Sequence, residues 1–392
     1  MALNQLTIFS PQHISQTLEG DIHSVECQEI FSQIASSSQE DICQLKWMGR
    51  LFHYIIEMKD EDHALEVLGE ILDIDPSWIN ETNEENQTMP WICVHLGKTK
   101  LFKLFMERGY DLHKDDKGGD MGVLGAAYGY KDNNTKKQEE VMDVVLDTEV
   151  FSQKYIAKAL TAAVQNQNKG GVASLLKHGA DLSGWWHADE RKTLYVACHA
   201  LEDKESINIL SLLLKHPLLQ HHINEDWPEV SGIWHPALSP IYACAYNGNT
   251  QMAQMLVDKG ARIDSDVEGG IETPTMAASF HMHPHMVEFF LKQGADIHKL
   301  DGEGRNALHH VCMASSGDPR WDEACFKTAQ VLIDAGIGFD VVDRDGKTPE
   351  DYVLNDRPRL LGLLKSLRVK KQLQQETSVQ WEQKPQKSNF KM

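Results

Sequence analysis

The sequence predicts an all-α solenoid of stacked helix–turn–helix repeats, closed at its N-terminal end by a helical cap. Three observations predict it. A glycine ends a recurring phrase, as in "VDKGARID" (Gly260) and "LKQGADIH" (Gly294), 34 residues apart. A capping residue stands 21 residues before each of these glycines, Ser239 in "SPIYACA" and Thr273 in "TPTMAA". Between them, apolar residues recur at helical spacing, as in Met252, Met255 and Leu256, or Val287, Phe290 and Leu291. Self-similarity at a fixed period of this length marks an array of supersecondary units.

Residues 1–80 carry no such glycine-ended phrase. Residues 1–35 read as helix. "EDICQLKWMGRLFHYIIEMKDEDHALEVLGEILDIDPSWIN" reads as two helices and a loop, a degenerate repeat that caps the stack. The array is expected over 81–367, with repeats near 83–115, 116–150, 155–184, 185–223, 235–265, 266–299, 300–341 and 342–367. The ending returns in "MERGYDLH" (Gly109), "LKHGADLS" (Gly179) and "IDAGIGFD" (Gly336). "TMPWICV" stands 21 residues before Gly109, "NALHHV" 12 after Gly294 and "TPEDYV" 12 after Gly336. Ser239 and Thr273 can cap their first helices with a side-chain oxygen, and Pro240 and Pro274 follow in the first turn, where a missing N–H costs nothing. Small residues such as Ala243, Ala245, Ala277 and Ala278 let the first helices pack closely. Gly260 and Gly294 end the second helices in the left-handed conformation. "YKDNNTKKQEE", "NEDWPEVSGIWHPAL" and "ASSGDPRWDEA" are insertions at turns or connections. Residues 368–392, polar and rich in Gln and Lys, read as a disordered tail.

This register resembles the ankyrin repeat, a unit of about 33 residues with a TPLHxA opening and a GAD-type ending, over most of residues 83–367. The resemblance implies a concave face lined by the inter-repeat fingers and the first helix of each repeat, and a role in protein–protein interaction. His309 matches the histidine of the opening motif, which the resemblance assigns a structural hydrogen bond. Degenerate repeats, insertions, and a polar tail closing in "SNFKM" are similar to the ankyrin effectors that intracellular bacteria such as Legionella inject into host cells by type IV secretion.

Composition narrows the function further. The net charge of −20, with −24 outside the basic residues 368–392, argues against nucleic acid as a partner and favours a basic protein surface. No apolar run reaches the length of a membrane span. "MALNQLTIFSPQHISQTLEGD" has no basic region followed by an apolar one, so no secretory signal peptide is expected. The seven cysteines are widely spaced, without a CxxC pair, and read as buried thiols of a reducing, cytoplasmic compartment, the host cytoplasm for an effector.

"HMHPHM" (His281–Met286) looks like a metal site. It falls, however, where the repeat turns between its helices, with Met282 in place of glycine, and no cysteine pair or acidic ligand accompanies it. It is read as a turn, and "DRDGKTPED" (343–351), which lacks the ligands of a calcium loop, as the connection before a repeat. No metal or cofactor is expected. No nucleophile elbow, phosphate loop, zinc-protease or kinase motif is present, so no catalytic residue is assigned. The alternative class is a Cys/His-dependent hydrolase or transferase built on the scaffold, with Cys312 beside His309 or His310 as its nearest pairing. The remaining alternative is an ordinary cytosolic ankyrin adaptor.

Tryptophans dominate interface energetics, and four lie in connections: Trp185 and Trp186 in "SGWWHADERK", Trp227 and Trp234 in the long insert. With Asp189, Glu190, Asp226 and Asp266 as an acidic rim, they are the expected partner-binding residues. Trp47, Trp78 and Trp91 sit in helical patterns and are expected in the core.

Overall fold

The computed structural model describes residues 47–83, 87–112, 130, 134–148, 151–183, 185–186, 191–199, 203–224, 239–264, 272–314, 320–353 and 357–382, with isolated positions at 17, 24, 30, 125 and 129. The chain divides into two compact units, Met1–Thr193 and Leu194–Met392. Each is a stack of helix pairs.

In the first unit the pairs are α1 (Trp47–Ile56) with α2 (Glu61–Ile74), α3 (Met89–His95) with α4 (Thr99–Glu107), and α6 (Gln153–Gln165) with α7 (Lys169–Lys177), and α5 (Thr135–Leu146) lies between the last two pairs. α1 packs on α3, while α2, α4, α5 and α7 pack in succession. Two layers result, one from first helices and one from second helices. A two-residue antiparallel hairpin, β1 (Trp185–Trp186) with β2 (Arg191–Lys192), closes this unit, pairing Trp185 with Lys192 and Trp186 with Arg191.

In the second unit, α8 (Thr193–His199, its first residue closing the preceding unit) leads to α9 (Lys204–Leu213) and the short α10 (Leu219–His222). Then come α11 (Pro240–Asn247) with α12 (Thr250–Val257), α13 (Pro274–Phe280) with α14 (Pro284–Lys292), α15 (Ala307–Met313) with α16 (Arg320–Asp334), a 3-10 turn (Pro349–Tyr352) and α17 (Pro358–Glu382). First helices stack as α11, α13, α15 and the 3-10 turn, and second helices as α9, α12, α14, α16 and α17. The fold is therefore an all-α stack of ankyrin-type helix pairs.

The local chemistry follows the sequence. Ser239, Thr273 and Ser152 accept the backbone N–H three residues on, and Asn306 accepts two, from Leu308 and His309. Ala243, Ala245, Ala277 and Ala278 are buried between the stacked first helices. Met252, Leu256, Val287 and Phe290 fill the space between the layers, each contributing about 1.5–3 kcal/mol of apolar burial. The glycines that set the register, Gly109, Gly179, Gly260, Gly294 and Gly336, have φ between 81 and 95° and end the second helices. Met282 takes the same hand without being glycine, at φ 58°. Its side chain is buried, which offsets part of the left-handed cost.

Neighbouring repeats are tied by side chains at the start of the second helix. Lys98 reaches the Met58 carbonyl, Asn168 the Tyr130 carbonyl (3.3 Å) and His283 the Tyr246 carbonyl (3.1 Å). His285 adds a bond to the Gly248 carbonyl at 3.0 Å. The histidines at 283 and 285 thus hold the preceding repeat. His309 bonds Asn306 within its own cap and the Lys347 carbonyl of the next repeat at 3.3 Å. Arg357, fully buried, donates to the carbonyls of Val311 and Cys312 at the end of α15.

One expectation needs correction. Residues 368–382 are helical, the continuation of α17, and not a disordered tail. Leu360 and Leu364 anchor the helix, and no Gly or Pro interrupts 363–382, where Lys, Gln, Leu and Arg all favour helix. Residues 383–392 lie outside the described residues. Within the finger "SGWWHADERK", Trp185–Trp186 pair antiparallel with Arg191–Lys192.

Candidate functional site

The second unit carries a continuous row of rings on its first helices. Tyr195 and His199, one turn apart on α8, meet with centroids 5.6 Å apart. His199 meets Tyr246 of α11 at 5.5 Å, and Tyr246 meets His281, which caps the end of α13, at 3.9 Å. Phe280 stands edge-on to His281 at 5.2 Å. Tyr246 and Phe280 are 39% and 36% exposed, so the row reaches solvent at its centre and at its Phe280 end. The three helices beneath it, "TLYVACH", "PIYACAYN" and "PTMAASF", contain no Lys, Arg, Asp or Glu. Burial, reinforced by the neighbouring His283, pushes the His281 imidazole below its ordinary value, so it stacks as a neutral ring at pH 7.

Among the described residues, a chain of paired charges runs from Glu272 through His310 to Asp301. Glu272 immediately precedes the Thr273 cap. One of its carboxylate oxygens accepts the Tyr242 hydroxyl at 2.7 Å and the other meets His310 Nδ1 at 3.0 Å. His310 Nε2 meets Asp301 at 3.0 Å, and the other Asp301 oxygen accepts the N–H groups of Glu303 and Arg305 in the turn before α15. Burial alone would push His310 down, but the two carboxylates overturn that and raise it to about 9. The same burial would raise Glu272 and Asp301, and hydrogen bonding to the imidazolium instead holds both below the usual carboxylate range. The Tyr242 hydroxyl is pushed up by burial and by Glu272, and the hydroxyls of Tyr195 and Tyr246 bear on it too. One imidazolium between two carboxylates leaves this group with a net single negative charge.

Leu300 (47% exposed) and Val342 (58%) are apolar residues standing immediately before Asp301 and Asp343 in consecutive fingers. Asp343 anchors its finger. Its own burial would raise it, but the Tyr352 hydroxyl and the N–H groups of Lys347 and Asp345 hold it at about 2.

Of the residues expected from the sequence to bind a partner, only Trp185 and Trp186 fall among the described residues, in β1. Asp189, Glu190, Asp226, Trp227, Trp234 and Asp266 lie outside them. Trp78 is buried, and Trp91 stacks on His95 at 4.8 Å. The ring row was not anticipated. Its signal is in the sequence, as aromatic or histidine residues four apart (Tyr195 and His199, Tyr242 and Tyr246) on consecutive first helices that lack charge.

Cys93, Cys198, Cys244, Cys312 and Cys325 are all buried free thiols. Burial pushes the thiols of Cys93 and Cys312 well up, away from the reactive thiolate. Among the described residues no group of three or more His, Cys, Asp or Glu is placed to hold a metal ion. No described helix is long and apolar enough to cross a membrane.

Residues 272–302, from Glu272 through the Asp301 turn, match the ankyrin repeat family model. The chain thus carries an ankyrin repeat within a stack of ankyrin-type helix pairs. Over 187 residues, 40% of the chain, it is 25% identical to a putative E3 ubiquitin-protein ligase of Plasmodium falciparum, and the matched stretch spans 2% of that relative's length. Among solved structures, it is similar to the ankyrin repeat domain of human ASB11 (16% identity, TM-score 0.43, 71% of this chain and 97% of that one). It is also similar to the ankyrin repeat domain of Bcl-3 (17% identity, TM-score 0.43, 62% and 97%).

Proposed function

We propose that this protein is a non-enzymatic scaffold that binds a partner protein on the first-helix face of its second unit. The observation that carries this reading is the solvent-facing row of rings on three consecutive uncharged helices. Stacks of short repeats present such extended faces generally, and aromatic side chains supply most of the energy at interfaces. The apolar finger residues Leu300 and Val342 would widen the contact. Trp185, Trp186, Trp227 and Trp234, with the acidic residues Asp189, Glu190, Asp226 and Asp266, are proposed separately as partner-binding residues from their place in the sequence. The acidic chain favours a partner with a basic surface. In its finer form the proposal is a bacterial effector, delivered by type IV secretion into the host cytoplasm and binding a host protein there. This rests on the likeness of the degenerate repeats and polar C-terminal residues to such effectors.

The test is affinity capture from host-cell lysate with the wild-type chain beside Tyr246→Ala/Phe280→Ala and Trp185→Ala/Trp186→Ala. A stoichiometric partner lost by the first variant, with its circular dichroism unchanged, supports the face. A partner retained by that variant moves the interface elsewhere. The alternative, a Cys/His enzyme, has the burial of Cys312 against it.

A further inference from the structure

We propose that a cleft in the first unit binds an aliphatic diamine, a hydrocarbon stem with an ammonium group at each end. The cleft shares no residue with the face on the second unit, and the two stand or fall apart.

α4 and α5 are neighbours in the second-helix layer, and a cleft of about 460 Å³ opens between them at their C-terminal ends. Small-molecule sites run from roughly 300 to 1,000 Å³. Phe102, Tyr110 and Leu112 line the cleft and are buried, so its floor is largely apolar. Met106 and Val144, half-buried, line it from the two helices. Such a floor takes hydrocarbon.

The charged lining is exposed and sits at the rim. Glu107 and Asp111 stand on the α4 side, Asp147 at the cap of α5, and Lys103 on α4. Three carboxylates against one ammonium leave an excess of two negative charges. The Lys103 charge also bears on Glu140, which does not line the cleft. Asp147 meets His178 through one oxygen, at 3.3 Å. Both helices end here, and each adds the partial negative charge of a helix C-terminus. The three carboxylates do not gather into a metal cage, so a ligand that answers them carries its positive charges apart. A diamine does so, with its methylenes on the floor and an ammonium toward each helix. A hydrated metal ion has no stem for the floor. A monoamine answers one side only, and a dicarboxylate meets like charge.

The experiment is equilibrium dialysis of labelled cadaverine against the full chain, at about pH 8 and physiological ionic strength. There an ordinary imidazole is neutral, and attraction to the general acidity of the chain is screened. Saturable binding at one site per chain is expected, with pentylamine and magnesium chloride each competing at least about fivefold less well than unlabelled cadaverine. Glu107→Gln/Asp147→Asn removes one carboxylate from each side and should weaken cadaverine about tenfold. Val144→Trp fills the cleft, keeps every charge and should abolish saturable binding. Each variant is read only with the circular dichroism of the wild type, and if Val144→Trp does not fold, the carboxylate variant carries the test alone. Magnesium competing as well as cadaverine would overturn the proposal by reducing it to acidity. Pentylamine competing equally would overturn it by leaving the second ammonium without a counterpart. Binding unchanged in the folded variants would place the diamine elsewhere, and no saturable binding would remove it altogether.

Discussion

Replacing His310 by Gln tests the buried charge chain quantitatively. The folded protein holds this imidazole at about 9, against an ordinary value of 6.5. At about 1.4 kcal/mol per pH unit, the difference corresponds to about 3 kcal/mol of stabilisation. The side chain is 4% exposed, so solvent screening removes little of this. Because the folded value is raised, the contribution is fully present below about pH 6.5 and disappears as pH rises through 9. At the acid end, Glu272 and Asp301 are held low, so their share is present above the ordinary carboxylate range and fades as pH falls through their depressed values. Gln keeps a donor for one carboxylate but carries no charge at any pH. Urea unfolding followed by circular dichroism should place the variant about 3 kcal/mol below wild type at pH 6 and close to it at pH 10. Other groups titrating between these values are common to both proteins and cancel in the difference, and Tyr242 is pushed above this range. A gap of the same size at pH 6 and pH 10 would refute the ion-pair account and leave only the lost packing of a ring.

Three further outcomes follow from particular residues. Gly248→Ala should lower stability by about 1–2 kcal/mol, since φ is 74° and the added carbon would stand 2.7 Å from the His283 ring, and thermal melting reads the loss. Arg357→Met should cost about 2–4 kcal/mol by withdrawing a donor from the Val311 and Cys312 carbonyls, and faster amide exchange confined to α15 and α17 would locate the damage. In native protein, Cys93, Cys198, Cys244, Cys312 and Cys325 should react with a thiol probe only on unfolding. Fast labelling of Cys312 would instead revive the enzyme reading.

The repeat register was legible because it rests on local rules. A capping hydroxyl, a proline in the first turn and a left-handed glycine each act within a few residues, so Thr273, Pro274 and Gly294 carry their meaning in the sequence. The charge chain was not legible. Glu272, Asp301 and His310 look like surface residues until stacking brings each carboxylate to 3.0 Å from the imidazole, which lies 38 and 9 positions further along the chain. The helical continuation after 367 is not legible from composition, because Gln and Lys are at once polar and good helix formers, and the burial of Leu360 and Leu364 decides between the two. Tryptophans stand out in the sequence as a residue type, whereas the ring row is built from Tyr, His and Phe placed by spacing.

The joints between repeats use a side chain on one side and a main-chain carbonyl on the other, through Lys98, Asn168 and His283. A carbonyl is present whatever residue bears it, so the accepting repeat can exchange its side chains without loosening the joint. The donor is constrained only to be a hydrogen-bonding group of roughly the right reach, and three different residue types fill that role here. Such a chain can drift far from its consensus, rewriting the face it shows to partners, while each module stays docked to the one before it.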